Sequence, residues 1–428
     1  MAIGDGFYLG IDVGTSGVRC SVIDACGQAL TTRHTPTARA PGTTILEQNP
    51  EHWWAAVIAV VRALPAALRQ RVVALAFDAT SGTLLCTDAE GTPLGPALAY
   101  NDARALDEAT LIRASAPAGS GAHGASSGLA KLLWLMRHRP SDACRHVLHQ
   151  ADWLVGRCTG CFGHSDWNNA LKLGFDPIDL SWPTWLDTLG VPRAWLPETH
   201  APGSPLAPLA ADAAKRLGLG SATVVCLGTT DSIAAFLATG ADTIGDAVTS
   251  LGSTLVIKLL AARPVFAPEY GVYSHRLGER WLVGGASNSG GGVLRHYFGD
   301  AEIAELSNQI DPEHPSGLDY YPLTVAGERF PYADPTLAPR LDPRPADRAS
   351  FLHGLLEGIA RIERTGYQRL EELGAPYPTR VLSIGGGARN PTWTRIRARM
   401  LGCPVDVAVH QQAAYGAALL ARDGMAAR

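Results

Sequence analysis

The sequence predicts an α/β protein assembled from two similar halves, and three observations carry that prediction. A strand, a hydroxyl-bearing glycine turn and a second strand follow one another near the N-terminus: Phe7 to Val13, then Gly14-Thr15-Ser16-Gly17, then Val18 to Ile23. The pattern returns far along the chain, where Asp246 to Leu251 leads through Gly252-Ser253-Thr254 into Leu255 to Leu260. Around both copies, short β-branched runs alternate with stretches of helical periodicity.

At each turn, backbone N–H groups can converge on one concave spot, a geometry that holds phosphate, and Asp12 beside the first turn can anchor a magnesium ion travelling with it. Taken singly, Gly14-Thr15-Ser16-Gly17 is also ordinary surface-turn composition. The repetition is what gives it weight.

The 428 residues, 46% hydrophobic, fit two to three folded domains. No apolar run approaches the ~20 residues of a membrane helix, and Met1 to Gly6 has no basic segment leading into an apolar stretch, so the expected location is the cytoplasm and no membrane partner is expected. A net charge of −4 without basic runs argues against nucleic acid. Eight scattered cysteines read as reduced thiols rather than a disulfide scaffold. Cys158 and Cys161 have the spacing of half a zinc site, but no second pair completes it, and none of the 13 histidines falls in an HExxH or HxxxH pattern.

After the first hairpin, Asn49, Pro50 and Glu51 supply a cap, a first-turn proline and an N-terminal acid for a helix whose Trp54, Val57, Ile58, Val61 and Leu64 share one face. Val72 to Phe77 reads as a buried strand ending in a polar tip, Asp78 to Thr83. A hairpin through Leu84-Leu85-Cys86 and Leu98-Ala99-Tyr100 then delivers Asn101-Asp102-Ala103-Arg104. Polar tips after apolar strands are where open α/β folds place ligand groups, which makes Thr80, Ser81, Asn101, Asp102 and Arg104 candidates for a small polar molecule. Residues 115 to 128 read as a loop, Leu129 to Leu135 as a helix, and His149 to Leu154 and Ser165 to Ala170 bring a second group of amides and carboxylates. Ala222 to Leu227 reads as a strand, Gly228-Thr229-Thr230 as a tight turn, and Asp231 as the first residue of an apolar helix.

In the last third, Ala286 to Gly292 is expected to place N–H groups at a helix start, and Phe351 to Leu373 is an amphipathic helix. Val381 to Ile384 runs into Gly385-Gly386-Gly387-Ala388-Arg389-Asn390 and a helix from Pro391. Three glycines let a flat ring approach the backbone, with Asn390 or Trp393 placed to meet a base or ribose. There is no GxxxxGK[ST], no kinase His-Arg-Asp or Asp-Phe-Gly set and no strand-borne GxGxxG. Two halves with matching phosphate-type hairpins are what a duplicated actin-like ATPase fold requires.

Eight stretches in order resemble the FGGY carbohydrate kinases of the actin-like superfamily, from about residue 8 to about residue 422: Asp12 to Ser16, Glu47 to Trp54, Tyr100 to Arg104, Lys131 to Leu135, Asp166 to Ala170, Gly228 to Asp231, Gly252 to Thr254 and Gly385 to Asn390. Asp231 to Ala238 and Gly317 to Leu323 are most similar to the D-ribulose kinase and xylulose-kinase-like group. The resemblance implies two actin-like, ribonuclease H-like domains with an interdomain nucleotide cleft: residues 7–238 plus a C-terminal helix at 412–425 for sugar, and residues 239–411 for nucleotide.

It also implies roles. Asp231 is the general base and Asp12 holds Mg2+ and touches the sugar, making these two the catalytic pair. Ser81, Asn101 and Asp102 complete the sugar site. Gly14, Thr15, Ser16, Gly252, Ser253 and Thr254 grip the phosphates of ATP, and Gly386, Gly387, Asn390 and Trp393 receive adenosine. The implied reaction is phosphorylation of the 5-hydroxyl of a ketopentose by a monomer or homodimer. Thr80-Ser81-Gly82 stands where mainstream xylulokinases carry Met-His-Gly, which favours D-ribulose, with D-xylulose or another pentulose or polyol as the alternative acceptor and an actin-like sugar sensor as the non-enzyme alternative.

Overall fold

Apolar residues occupy nearly every position of Phe7–Val13, Gly17–Ile23, Val72–Ala79 and Val224–Thr230 because both faces of the sheet they form are covered. A sheet buried on both sides loses the inside–outside alternation of a half-exposed one. Leu9, Ile11, Val18, Cys20, Val22 and Phe77 face one core, which receives Trp53, Trp54, Val57, Val60 and Val61 of the helix Pro50–Arg62. Tyr8, Ile23, Ala74, Ala76 and Cys226 face the other, closed by Ala418 and Ala421 of the C-terminal helix Ala413–Ala426. Gly10 permits that closure: a Cβ there would stand 1.9 Å from the Ala414 carbonyl oxygen.

The computed structural model describes residues 6–36 and 46–427. Met1 to Asp5, on which the leaderless reading mainly rests, lies outside the described residues. The chain forms two compact units, Met1–Ala238 with Gln412–Arg428, and Thr239–Gln411.

In the first unit the six-stranded sheet has the order Pro205–Pro208, Val224–Thr230, Val72–Ala79, Phe7–Val13, Gly17–Ile23, Ala29–Pro36. Phe7–Val13 is antiparallel to Gly17–Ile23 and parallel to Val72–Ala79, which is parallel in turn to Val224–Thr230. A four-stranded sheet (Glu47–Gln48, Ala97–Leu98, Leu84–Thr87, His146–His149) and a two-stranded ribbon complete the unit.

The second unit repeats the pattern. Its sheet runs Tyr273–Leu277, Arg280–Ser287, Leu255–Ala261, Asp246–Leu251, Arg380–Ile384, Val405–Val407. Asp246–Leu251 is antiparallel to its hairpin partner Leu255–Ala261 and parallel to Arg380–Ile384. In both units an N-terminal hairpin has one strand continued by an antiparallel third strand and the other by two parallel strands from later in the chain. This is a duplicated actin-like α/β architecture. The amphipathic helix spans Arg348–Glu372, starting where Asp347 accepts the Ser350 N–H, and buries Leu352, Leu355, Leu356, Ile359 and Ile362. Each such side chain contributes about 1.5–3 kcal/mol.

Two sequence boundaries shift. The Val72 strand continues through Asp78 and Ala79, so Asp78 is a buried strand residue and the polar tip begins at Thr80. Gly228-Thr229-Thr230 is no turn but the end of the strand Val224–Thr230, which passes directly into the helix Asp231–Ala238. The physical reason lies in Gly228, where the pairing register slips and a Cβ would sit 2.3 Å from the Phe77 carbonyl oxygen. The glycine answers a close strand approach. No helix among the described residues is long and apolar enough to cross a membrane.

Candidate active site

Three adjacent parallel strands end together in the first unit, and each brings polar groups to its carboxyl end, where open α/β sheets bind ligands. Asp12 of Phe7–Val13 is the register partner of Asp78, which is the register partner of Thr229, two residues before Asp231. Asp12 is 7% exposed and Asp78 fully buried, while Asp231 is half-exposed. Arg19, opposite Asp12 across the hairpin, reaches its Oδ2 at 3.5 Å.

Neither Asp78 oxygen accepts a hydrogen bond from any donor group. Burial, then the charges of Asp12 and Asp231, push its carboxyl well above the ordinary range. Burial also raises Asp12, against the pull of Arg19. The carboxylate oxygens of Asp12 suit a hard dication such as Mg2+.

The tip after Asp78 is braced from beneath. Thr80 donates its hydroxyl to Gln150 Oε1 at 2.7 Å and stands 2.6 Å from the Thr83 hydroxyl. Ser81 Oγ is enclosed without a hydrogen-bond partner. Fully buried Lys131 donates Nζ to the carbonyls of Gly82 at 2.7 Å and Tyr100 at 3.3 Å, tying the Ser81 tip to the Asn101 loop. Burial lowers that ammonium to about 7, against the pull of Asp102.

Asn101 is exposed, but Asp102 is fully buried and engaged by Arg104 through Nε at 3.0 Å and Nη2 at 2.8 Å. Arg104 in turn donates to Glu47 at 2.7 Å. The pair shapes the loop that carries Asn101. Asn168 donates Nδ2 to Thr229 Oγ1 at 3.2 Å beneath the Asp231 strand.

The hairpin tips differ in accessibility. Ser16 and Ser253 are exposed, and Gly14, Thr15, Gly252 and Thr254 half-buried. Gly14 N–H is taken by the Gly17 carbonyl at 3.1 Å. In the second unit, the N–H groups of Gly291 and Gly292 donate to the carbonyls of Gly252 and Ser253, both at 2.9 Å. The helix start expected to offer free donors therefore buttresses the hairpin instead. Glu328 fixes the segment before it, accepting from Ser287 Oγ, Asn288 N–H and the Tyr321 hydroxyl.

A cavity of about 420 Å³ opens in this unit, lined by Leu251, Arg295, Ser307, Gly386, Gly387 and Asn390 among others, a size suited to a nucleoside. Trp393 also lines the cavity, but it is 1% exposed and donates its indole N–H to the Leu356 carbonyl at 3.1 Å, so it is a wall rather than a stacking surface. Gly387 makes room for that ring, since a Cβ there would lie 2.5 Å from it. Asn390 caps the helix Pro391–Leu401 through Trp393 N–H and donates Nδ2 to Ser307 Oγ at 2.8 Å, which commits its side chain to positioning.

In the first unit Asp12, Asp78 and Asp231 come together at the strand ends, and in the second Gly386 and Gly387 border the cavity. The roles of Asp78, Lys131 and Gln150 escape sequence reading, because register and long-range contacts alone give each its partner. Cys158 is buried and Cys161 exposed, and both are unpaired.

Comparison with known proteins adds a family. The description "FGGY family of carbohydrate kinases, N-terminal domain" matches residues 7–238, and its C-terminal counterpart matches residues 247–424. The chain is 29% identical over 430 residues to a xylulose kinase of Escherichia coli K12, covering 93% of this chain and 86% of that one. It is 26% identical over 465 residues to an autoinducer-2 kinase of Escherichia coli, covering 98% and 86%. Among solved structures, one described as a xyloylose kinase from Brucella ovis superposes with a TM-score of 0.86 at 25% identity, covering 99% of this chain and 91% of that one.

Proposed function

The chain belongs to the FGGY family of carbohydrate kinases, a sugar phosphotransferase with ATP as co-substrate, and from that premise we propose that it phosphorylates the 5-hydroxyl of a ketopentose. The observation that carries this reading is the meeting of Asp12, Asp78 and Asp231 at the carboxyl ends of three neighbouring parallel strands.

In this reading Asp231 accepts the proton of the sugar hydroxyl as it attacks the γ-phosphorus. Asp12, positioned by Asp78, would hold Mg2+, which when bound would neutralise charge on the transferring phosphate. Phosphoryl transfer has a loose transition state with charge spread over the moving group, so positioning and electrostatics supply most of the acceleration. Ser81 and Asn101 supply hydroxyl and amide groups for the sugar, while Asp102 acts through its hold on Arg104. The hairpin tips at 14–16 and 252–254 receive phosphates, and the cavity bordered by Gly386 and Gly387 receives adenosine, with Asn390 and Trp393 shaping its wall. The eight cysteines form no disulfide, which accords with a reducing compartment, and we place the reaction in the cytoplasm.

D-Ribulose is the proposed acceptor, on the strength of Thr80-Ser81-Gly82 and its enclosed Ser81 hydroxyl. D-Xylulose is the second reading, favoured by the names of the Escherichia coli and Brucella ovis relatives. An ADP-release assay over ketopentoses, aldopentoses and polyols tests both. Turnover confined to aldoses or polyols overturns the pentulose assignment. Asp231→Ala is expected to cut sugar-dependent turnover by about 10²–10⁴-fold while nucleotide binding stays within a few-fold. Near wild-type turnover in that variant removes Asp231 from the mechanism.

A further inference from the structure

The ribbon of the first unit pairs His164–Asp166 in parallel with Glu198–His200. Side chains alternate between the faces of a strand, so Glu198 and His200 share a face, and the register sets His164 opposite Glu198 on that face. His164 Nδ1 stands 3.9 Å from Glu198 Oε2, and His200 Nε2 stands 3.2 Å from Glu198 Oε1. One ligand atom from each residue lies within 4.8 Å of the other two. The ring centroids are 5.6 Å apart.

Both nitrogens are buried as atoms, and neither makes a hydrogen bond. The side chains remain 24%, 69% and 33% exposed for His164, Glu198 and His200, which leaves a path from solvent. A tetrahedral ion with bonds of about 2.0–2.2 Å separates its ligand atoms by about 3.3–3.5 Å. The two measured separations lie on either side of that range, within reach of small side-chain rotations. Two imidazoles and one carboxylate are the donors of a borderline transition ion rather than of Mg2+.

We propose that His164, Glu198 and His200 form a Zn2+ site, with a fourth position open to water, that clasps the two strands of the ribbon. Its placement gives it a structural purpose. Asp166, at the end of the ribbon, caps the helix Trp167–Ala170, and Asn168 of that helix holds Thr229 on the strand leading to Asp231. The ion braces this segment from its outer side. The site stands apart from the carboxylate cluster and does not depend on which sugar is phosphorylated.

The test uses the full chain, stripped with a chelator, held in excess Mg2+ and titrated with Zn2+ against a chromophoric competitor. The expected result is one Zn2+ per chain and a rise in melting temperature on loading. His164→Ala and His200→Ala are each expected to weaken binding by about a hundredfold or more and to abolish the rise, with circular dichroism confirming the fold. His314→Ala, at a separate exposed pair with Asp311, leaves both unchanged. Co2+ in place of Zn2+ gives a tetrahedral visible absorption in the parent chain that disappears in the double variant. Absence of stoichiometric Zn2+, or its retention in the double variant, overturns the proposal. Loss of the ion from Cys158→Ser and Cys161→Ser with the histidines intact also overturns it.

Discussion

Asp78 lies directly opposite Asp12 on the neighbouring parallel strand, fully buried, with neither oxygen accepting a hydrogen bond from a donor group. That register position beside Asp12 makes Asp78 the residue that positions Asp12. Asp78→Asn retains a donor and is expected to keep most of the turnover. Asp78→Leu, similar in size and without a polar group, is expected to lower kcat/KM by about tenfold or more with the melting temperature unchanged or raised, since an apolar group replaces a buried carboxyl. Equal kinetics in the two variants contradict the positioning role.

Lys131 joins two loops that are distant in sequence by donating to the Gly82 and Tyr100 carbonyls. Lys131→Met leaves buried acceptors unpaired at about 1–3 kcal/mol each. The expected outcome is a higher KM for sugar at little-changed KM for ATP, together with a lower melting temperature. Parallel changes in both KM values argue against a role confined to the sugar loops.

Acid stability of the second unit is expected to depend on Glu357. Burial alone raises this carboxyl, but the nearby His353 ring at 3.6 Å and hydrogen bonds from Ser316 and Arg399 bring it down to about 2. Because the folded value lies below the unfolded one, the contribution is full above about pH 4.5 and is lost as pH falls toward the folded value; the shift is equivalent to about 3 kcal/mol. Urea unfolding of the parent and Glu357→Gln should diverge near neutral pH and converge in acid. A difference independent of pH contradicts this.

Arg397 and Glu363 form a fully buried pair, 2.6 and 2.7 Å at its two contacts. Arg397 also donates to Ser383 at 2.7 Å, and Glu363 accepts from Thr249 at 2.6 Å, so one network links two helices and two sheet strands. Breaking it from one side, as in Glu363→Leu, is expected to cost about 3–5 kcal/mol. Adding Arg397→Met to that variant should recover part of the loss, because it removes the stranded charge. Additive losses in the double-mutant cycle sink the prediction.

The two hairpins, the helices at 50–62 and 348–372, and the alternation of strands and helices were determined by the sequence alone, because turn chemistry and helical periodicity are local properties. Asp12 could be singled out on the same basis, beside a turn, whereas the role expected of Asp231 came from the family resemblance. Tertiary structure decided what long-range pairing controls. Register set Asp78 against Asp12 and His164 against Glu198, close strand approach turned Gly228 from a turn into a strand residue, and core packing turned Trp393 into a wall. Lys131 and Gln150 gained their partners the same way. The physical reason is that a side chain's partner across a sheet or between loops is fixed by register and packing, neither of which is written in the spacing of neighbours along the chain.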